Sequence, residues 1–219
     1  MRVLLAVDGS EGAAEAVSLA RMMAWPEGSR LRVVSVVELE AWMTSLPRPT
    51  GAASPVLESE IAAYFEDEQR RIVELFSPER DVETVILHGR PATMIIEEAR
   101  DFAAEVVMVG SRGHGAIATL ILGSVSAEVV DHAPSPVLVA RRPNLSHVVM
   151  ATDGSPSARA AEDVVAGWSV FEGLPVDVVS VADAVRPWAS GIAPGFQRHA
   201  REAYAQELDE VSQIAESVA

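Results

Sequence analysis

Val106-Val107-Met108-Val109-Gly110-Ser111-Arg112-Gly113-His114-Gly115, then Ala116 to Leu122, then Gly123-Ser124, is the stretch on which the reading of this chain turns. Its first four residues form an unbroken apolar run, as expected of a strand buried on both faces inside a parallel sheet. The glycines that follow let the backbone approach a ligand closely and adopt conformations a side chain would forbid. Successive N–H groups, closed by a helix N-terminus at Ser124, make a natural anion cradle. Ser124 can cap that helix or offer its hydroxyl to a phosphate, and Ser126 is a second hydroxyl in the same turn. The plainer reading is a glycine-rich surface turn before a capped helix; on these residues alone the two weigh evenly. Gly113-x-Gly115-x-x-Ala118 also matches a dinucleotide fingerprint, but that fingerprint belongs after the first strand of its unit, and here it follows the fourth.

Outward from this segment, strands and helices alternate. Residues 2–7 are a continuous apolar run, and Ser10 can cap a helix through Ala24 that ends before Pro26. Residues 31–37 read as a second strand. The Pro/Gly/Ser-rich stretch 46–54 reads as a loop, with Ser54-Pro55 as a cap and first-turn proline. Leu57, Ile61, Tyr64, Phe65, Ile72, Leu75 and Phe76 recur at helical spacing up to Ser77-Pro78. Strands at 82–87, 106–109 and 137–140 and helices at 91–103 and 124–131 complete the pattern. Five strands separated by helices predict an α/β fold: a doubly wound parallel sheet covered on both faces. Ligands of such sheets sit beyond the carboxyl ends of the strands, where the winding reverses. Asp8-Gly9-Ser10, at the end of the first strand, is therefore a second candidate. It reads either as a turn with a helix cap, or as an acceptor for an adenine amino group or a ribose hydroxyl; its position favours the latter.

Composition narrows the chemistry. The chain has 219 residues and a net charge of −15, and all 17 of its basic residues are arginine. So acidic a protein has no broad electrostatic attraction for nucleic acid, and aromatic stacking platforms are sparse. Without lysine there is no Walker phosphate loop. Without cysteine there are no disulfides, thiolate metal sites or cysteine nucleophile. The five histidines show no metal-ligand spacing. The apolar N-terminus stops at Asp8, and no later run reaches membrane length, so the expected setting is the cytoplasm, with no membrane partner.

An internal repeat organises the whole. Val3 to Ser10 recurs as Val148 to Ser155 at an offset of 145 positions, and Val33-Val34-Ser35-Val36 recurs as Val178-Val179-Ser180-Val181 at the same offset. Trp42 and Trp188 follow at nearly matching distance. The expected domains are 1–143 and a partial second copy, 146–219, joined at Arg141-Arg142-Pro143-Asn144. Nothing after Asp153-Gly154-Ser155 repeats Gly110 to Ser124, so the second copy is expected not to hold the same ligand. Its last helix is expected to end near Ser217. Two strands leave an open edge, to be completed by a partner or by packing on the first domain; truncation would explain the ending equally well.

Gly110-x2-Gly113-x9-Gly123-Ser124 resembles the nucleotide motif of the universal stress protein family. Val7-Asp8-Gly9-Ser10, Gly89-x-Pro91, Gly123-Ser124-Val125-Ser126 and His132-Ala133-Pro134-Ser135-Pro136-Val137-Leu138-Val139 are similar to that family as well. The resemblance covers residues 1–142 and the start of a second domain from about 147. It implies a sheet ordered 3-2-1-4-5, of the adenine-nucleotide-hydrolase-like type, that binds ATP. By matching motif, the Val7-Asp8 corner would meet adenine or ribose, and Val36 would offer its backbone to adenine. Gly110 and Gly113 would line ribose and phosphates, while Gly123, Ser124, Val125 and Ser126 would hold the phosphate tail; Arg112 fills a variable loop position, where it either supplies positive charge to a triphosphate or is simply solvated. Any Mg2+ would be held by the phosphates and not by protein ligands. His114 fills a variable loop position with no catalytic role assigned. The resemblance also implies pairing through the fifth strand, hence a homodimer through residues 137–140.

Phosphoryl transfer needs a metal, a positioned nucleophile and usually a base, and no such set stands beside the glycine loop. No Gly-x-Ser-x-Gly elbow is present either. The leading expectation is a nucleotide-dependent stress-response sensor or regulator. The alternatives are a scaffold acting through protein contacts alone, and a slow ATP hydrolase.

Overall fold

The computed structural model describes residues 1–38, 55–76, 80–113 and 122–180. The loop at 46–54 with its Ser54 cap, Trp42, the Ser77-Pro78 stop, His114 to Ile121, and everything read beyond Ser180 lie outside the described residues. The chain divides into two units, Met1–Asn144 and Leu145–Ala219.

In the first unit β1 (Arg2–Ala6) is the middle strand, because its apolar run can be buried from both faces: Val3, Leu4 and Leu5 are at most 2 % exposed. It pairs in parallel with β2 (Arg30–Val37) on one side and β4 (Val106–Gly110) on the other. With β3 (Asp81–His88) and β5 (Val137–Ala140) the order is β3-β2-β1-β4-β5, all parallel, as the resemblance implied. Side chains alternate across the sheet. Leu4, Ala6, Val34, Val107 and Val109 pack beneath Ala92, Ile95, Ile96 and Ala99 of α3 (Pro91–Asp101) and Val129 of α4 (Ser124–His132). Each buried valine, leucine or isoleucine among them contributes about 1.5–3 kcal/mol. The helices α1 (Glu11–Met22) and α2 (Pro55–Phe76) pack on each other, α1 also on β4 and β5 and α2 on β2 and β3. Gln69 of α2 is buried, and its amide is satisfied by donating to Ser35 Oγ at 3.1 Å and Val85 O at 2.7 Å.

Two helices stop earlier than the sequence suggested. α1 ends at Met22 and not Ala24, because Met23 turns extended while its N–H still bonds Leu19 O at 3.1 Å. α3 ends at Asp101 and not Ala103. Ala103 adopts φ 49°, and Ala104 N–H returns to Ala99 O at 2.8 Å, a terminating turn usually built on glycine.

At the N-terminal end of the sheet, away from the site, the Arg32 guanidinium lies 4.1 Å from the Phe102 ring centroid. It bonds Glu83 at 2.5 Å and Glu98 at 2.6 Å, and Arg30 also pairs with Glu83. The hydrogen bond from Arg32 holds the Glu83 carboxyl below its ordinary value of 4.5.

In the second unit, β6 (Val148–Ala151) and β7 (Val176–Val179) form a parallel pair joined through α5 (Pro156–Gly167) and a short 3-10 turn at Ser169–Phe171. Ser155 caps α5 by accepting from Ala158 N–H at 3.1 Å, and Asp153 Oδ1 accepts from Ser155 N–H at 2.9 Å. Whereas α1 buries five residues, α5 buries none. The strands that cover α1, β4 and β5, have no counterpart among the described residues of this unit.

Candidate functional site

Because β1 and β4 are neighbours running the same way, their carboxyl ends bring Asp8 and the Gly110–Gly113 loop together at the point where the winding reverses. A cleft of about 290 Å³ opens there. It lies at the lower end of the roughly 300–1,000 Å³ typical of small-molecule sites. Val7, Asp8, Val36, Gly110, Arg112, Gly113, Gly123, Ser124, Val125 and Ser126, all singled out from the sequence, line it together. Ala6, Ala13, Val34, Pro91, Ile95 and Val109 line it as well. Sequence reasoning missed these six because five are ordinary apolar core residues, and the sixth, half-buried Pro91, reads as a first-turn helix proline; their place in the cleft becomes visible only once the sheet is assembled.

The cleft has two chemical halves. One is an apolar slot between the ends of β1, β2 and β4 and the start of α3. The other is polar and made largely of backbone. Asp8 stands at their junction: its Oδ1 accepts from Ser10 N–H at 3.0 Å, which fixes the carboxylate over its own turn. A Cβ on Gly113 would lie 2.6 Å from Asp8 Oδ2, so this loop position has room for glycine alone while Asp8 keeps its place.

The polar half is centred on the start of α4. The cap expected from Ser124 is not made. Gly123 is the N-cap, Ser124 is already helical, and no side chain caps the helix. By contrast α1 is closed by Ser10 Oγ, which accepts from Ala13 N–H at 3.2 Å. The N–H groups of Ser124, Val125 and Ser126 therefore have no acceptor among the described residues. Aligned helical peptides place roughly half a positive charge there. Gly123 N–H is spent on Ser111 O at 2.8 Å and Ser111 N–H on Ala140 O at 2.8 Å, which anchors the loop without using the helix amides.

The two serines differ. Ser126 is buried, and its hydroxyl donates to Gly110 O at 2.7 Å, tying α4 to the end of β4. That proton is committed, so Ser126 faces the cleft as a backbone donor and not as the second hydroxyl read from the sequence. The Ser124 hydroxyl makes no such bond among the described residues. Arg112 is exposed at the rim, with no acceptor for its guanidinium among the described residues. Among those residues no group of three or more His, Cys, Asp or Glu is placed to hold a metal ion, and no helix is long and apolar enough to cross a membrane.

Comparison with known proteins agrees with this architecture. The universal stress protein family model matches residues 1–141. A universal stress protein of Thermus aquaticus is 35% identical over 143 residues, covering 64% of this chain and 97% of that protein. One from Mycobacterium tuberculosis is 33% identical over 148 residues, covering 64% of this chain but 44% of the relative, so the match spans less than half of that protein. Among solved structures, UspA of Lactobacillus plantarum superposes with a TM-score of 0.53 at 28% identity, over 64% of this chain and 97% of that one. A universal stress protein of Archaeoglobus fulgidus shares the fold with a TM-score of 0.61 at 20% identity, over 94% of this chain and 72% of that one. With its first 141 residues matched, this chain belongs to the universal stress protein family.

Proposed function

We propose that the first unit binds ATP in this cleft and acts as a nucleotide-responsive regulator in a stress response. The observation that carries the reading is the meeting, in one cleft, of an apolar slot and an uncapped helix N-terminus. A purine is flat and largely apolar, and a polyphosphate seeks N–H donors; the two halves are complementary to one molecule. In this reading adenine enters beside Val7 and Val36, with Asp8 accepting from the base or ribose. Gly110, Arg112 and Gly113 flank ribose and phosphates, and the Ser124, Val125 and Ser126 amides with the Ser124 hydroxyl receive the tail beyond Gly123. Accompanying Mg2+ would take its ligands from the phosphates.

Equilibrium dialysis with labelled ATP, comparing the natural chain with Gly113→Val, tests the proposal. The variant drives a side chain against Asp8 and is expected to lose most binding; equal retention by the two proteins would refute the site.

Regulation is favoured over turnover because Asp8, the cleft's carboxylate, stands at the junction of the two halves, held by Ser10 N–H over its own turn, and not on α4 where the phosphate tail is placed. Phosphate release well above slow background at saturating ATP would overturn that preference. We further propose a cytoplasmic homodimer joined through the edge strand β5, which a monomeric mass by light scattering at micromolar concentration would contradict. Residues 146–219 are proposed to be a partial second copy without a phosphate loop. The Asp153–Ser155–Ala158 bonds repeat the Asp8–Ser10–Ala13 bonds at the same offset. An Asp153→Ala variant with weakened ATP binding would count against it.

A further inference from the structure

The first turn of α1 touches the phosphate loop backbone to backbone. Ser10 Oγ, besides capping α1, donates to the Arg112 carbonyl at 3.3 Å. Gly12, two residues on, is pressed against the same peptide: a Cβ there would run into Arg112 O and lie 3.2 Å from Arg112 N. On the other side, a Cβ on Gly110 would meet the Gly12 carbonyl group and come within 2.8 Å of Ala13 N. Real Cβ atoms do not approach backbone atoms so closely, so both glycines are needed for the helix to seat this deeply.

Neither Ser10 nor Gly12 lines the cleft. The peptide they hold does matter to it. Drawing the Arg112 carbonyl toward α1 fixes the rotation of the Arg112–Gly113 peptide plane, and the N–H on that plane belongs to Gly113, which does line the cleft. We propose that Ser10 and Gly12 are positioning residues that set the phosphate loop from behind, and so tune affinity for the phosphates without touching nucleotide. This rests on the nucleotide reading given above and specifies which part of the ligand the contact serves.

The test compares ATP with adenosine, which has no phosphate, by isothermal calorimetry on the full chain. Ser10→Gly removes the hydroxyl and its bond to Arg112, while glycine remains a tolerated N-cap. Gly12→Ala adds one methyl against the Arg112 carbonyl, and alanine is itself the better helix former. Neither changes charge. Each is expected to weaken ATP on the order of tenfold, with adenosine affinity within about twofold of the natural chain. Ser10→Thr, which keeps a donor and a cap, should restore the ATP value. Parallel loss of ATP and adenosine would show a general structural defect and overturn the inference, as would unchanged ATP affinity in both variants. If the natural chain binds neither ligand, the nucleotide reading itself falls and this inference with it; natural binding with indifferent variants defeats the inference alone.

Discussion

Gly123→Asp should make the protein more stable and nearly abolish ATP binding, two effects of opposite sign from one side chain. Gly123 has φ −71° and ψ 158°, a conformation open to any residue. A Cβ there would find its nearest neighbours, Arg112 Cα and Ser111 O, at 3.5 Å, ordinary van der Waals contact. Folding therefore does not demand glycine. An aspartate at this N-cap can accept from the Val125 or Ser126 amide, worth a few tenths of a kcal/mol over glycine. Its charge at the helix N-terminus adds about 0.3–1 kcal/mol. The sum, about 1 kcal/mol, corresponds to a melting temperature about 2–4 °C higher for a domain of this size. The same carboxylate would occupy the anion position. Two unit charges about 5 Å apart at an effective dielectric of about 20 repel by about 3 kcal/mol, or more than 100-fold in Kd. Differential scanning fluorimetry and calorimetric titration read the two effects on one sample. Gly123→Asn, which caps without charge, should keep only the few tenths of a kcal/mol that come from the cap and show a smaller binding loss. An aspartate variant that binds ATP within threefold of the natural chain, or melts below it, would refute the argument that these amides are the anion site.

Arg112→Gln should weaken ATP by about tenfold, as expected for one exposed charge–phosphate contact, and leave adenosine unchanged; equal affinity for ATP in the two proteins would assign Arg112 to solvent. The carboxyl of Glu83 is held low in the folded state, so its stabilising effect is present above its unfolded value and is lost as pH falls through the folded one. Urea denaturation between pH 7 and 3 should show the natural chain losing stability on acidification below about 4.5 more steeply than Glu83→Gln; parallel pH profiles would show that the Arg32 contact is not coupled to folding.

What could be read from the sequence depended on whether a feature announces itself in side-chain chemistry. β1 and β4 were plain, since strands buried on both faces must be apolar throughout, and glycine spacing exposed the loop between β4 and α4. The end of α3 was not visible, because its left-handed terminating residue is Ala103 and no glycine marks the turn. The N-cap of α4 was misplaced by one residue for a related reason. Ser124 has the capping side chain, but the boundary is set by Gly123, whose contribution is a missing side chain. The role of the Ser126 hydroxyl was hidden because its partner, Gly110 O, is sixteen residues away and close only when α4 docks on β4.

Net charge pointed away from a polyanion, yet the proposed ligand is one, and the resolution lies in distance. The excess negative charge comes from acidic residues distributed along the sequence outside 111–144, where Arg112, Arg141 and Arg142 outnumber Glu128 and Asp131, and at physiological ionic strength each surface charge is screened within about 8 Å. The α4 amides act at hydrogen-bond range, inside that length, where aligned dipoles need no lysine and lose nothing to the acidity of remote surfaces. A donor set made of backbone also cannot be protonated or deprotonated between pH 4 and 10. In the proposed reading, the grip on the phosphates then depends on how firmly the loop peptides are held, by Ser111, Gly123, Ala140 and the first turn of α1, more than on any ionisable side chain in the cleft. Sequence change behind such a loop acts through shape. A methyl group at Gly12, behind the loop, is then expected to cost ATP binding about as much as loss of the Arg112 charge at its rim.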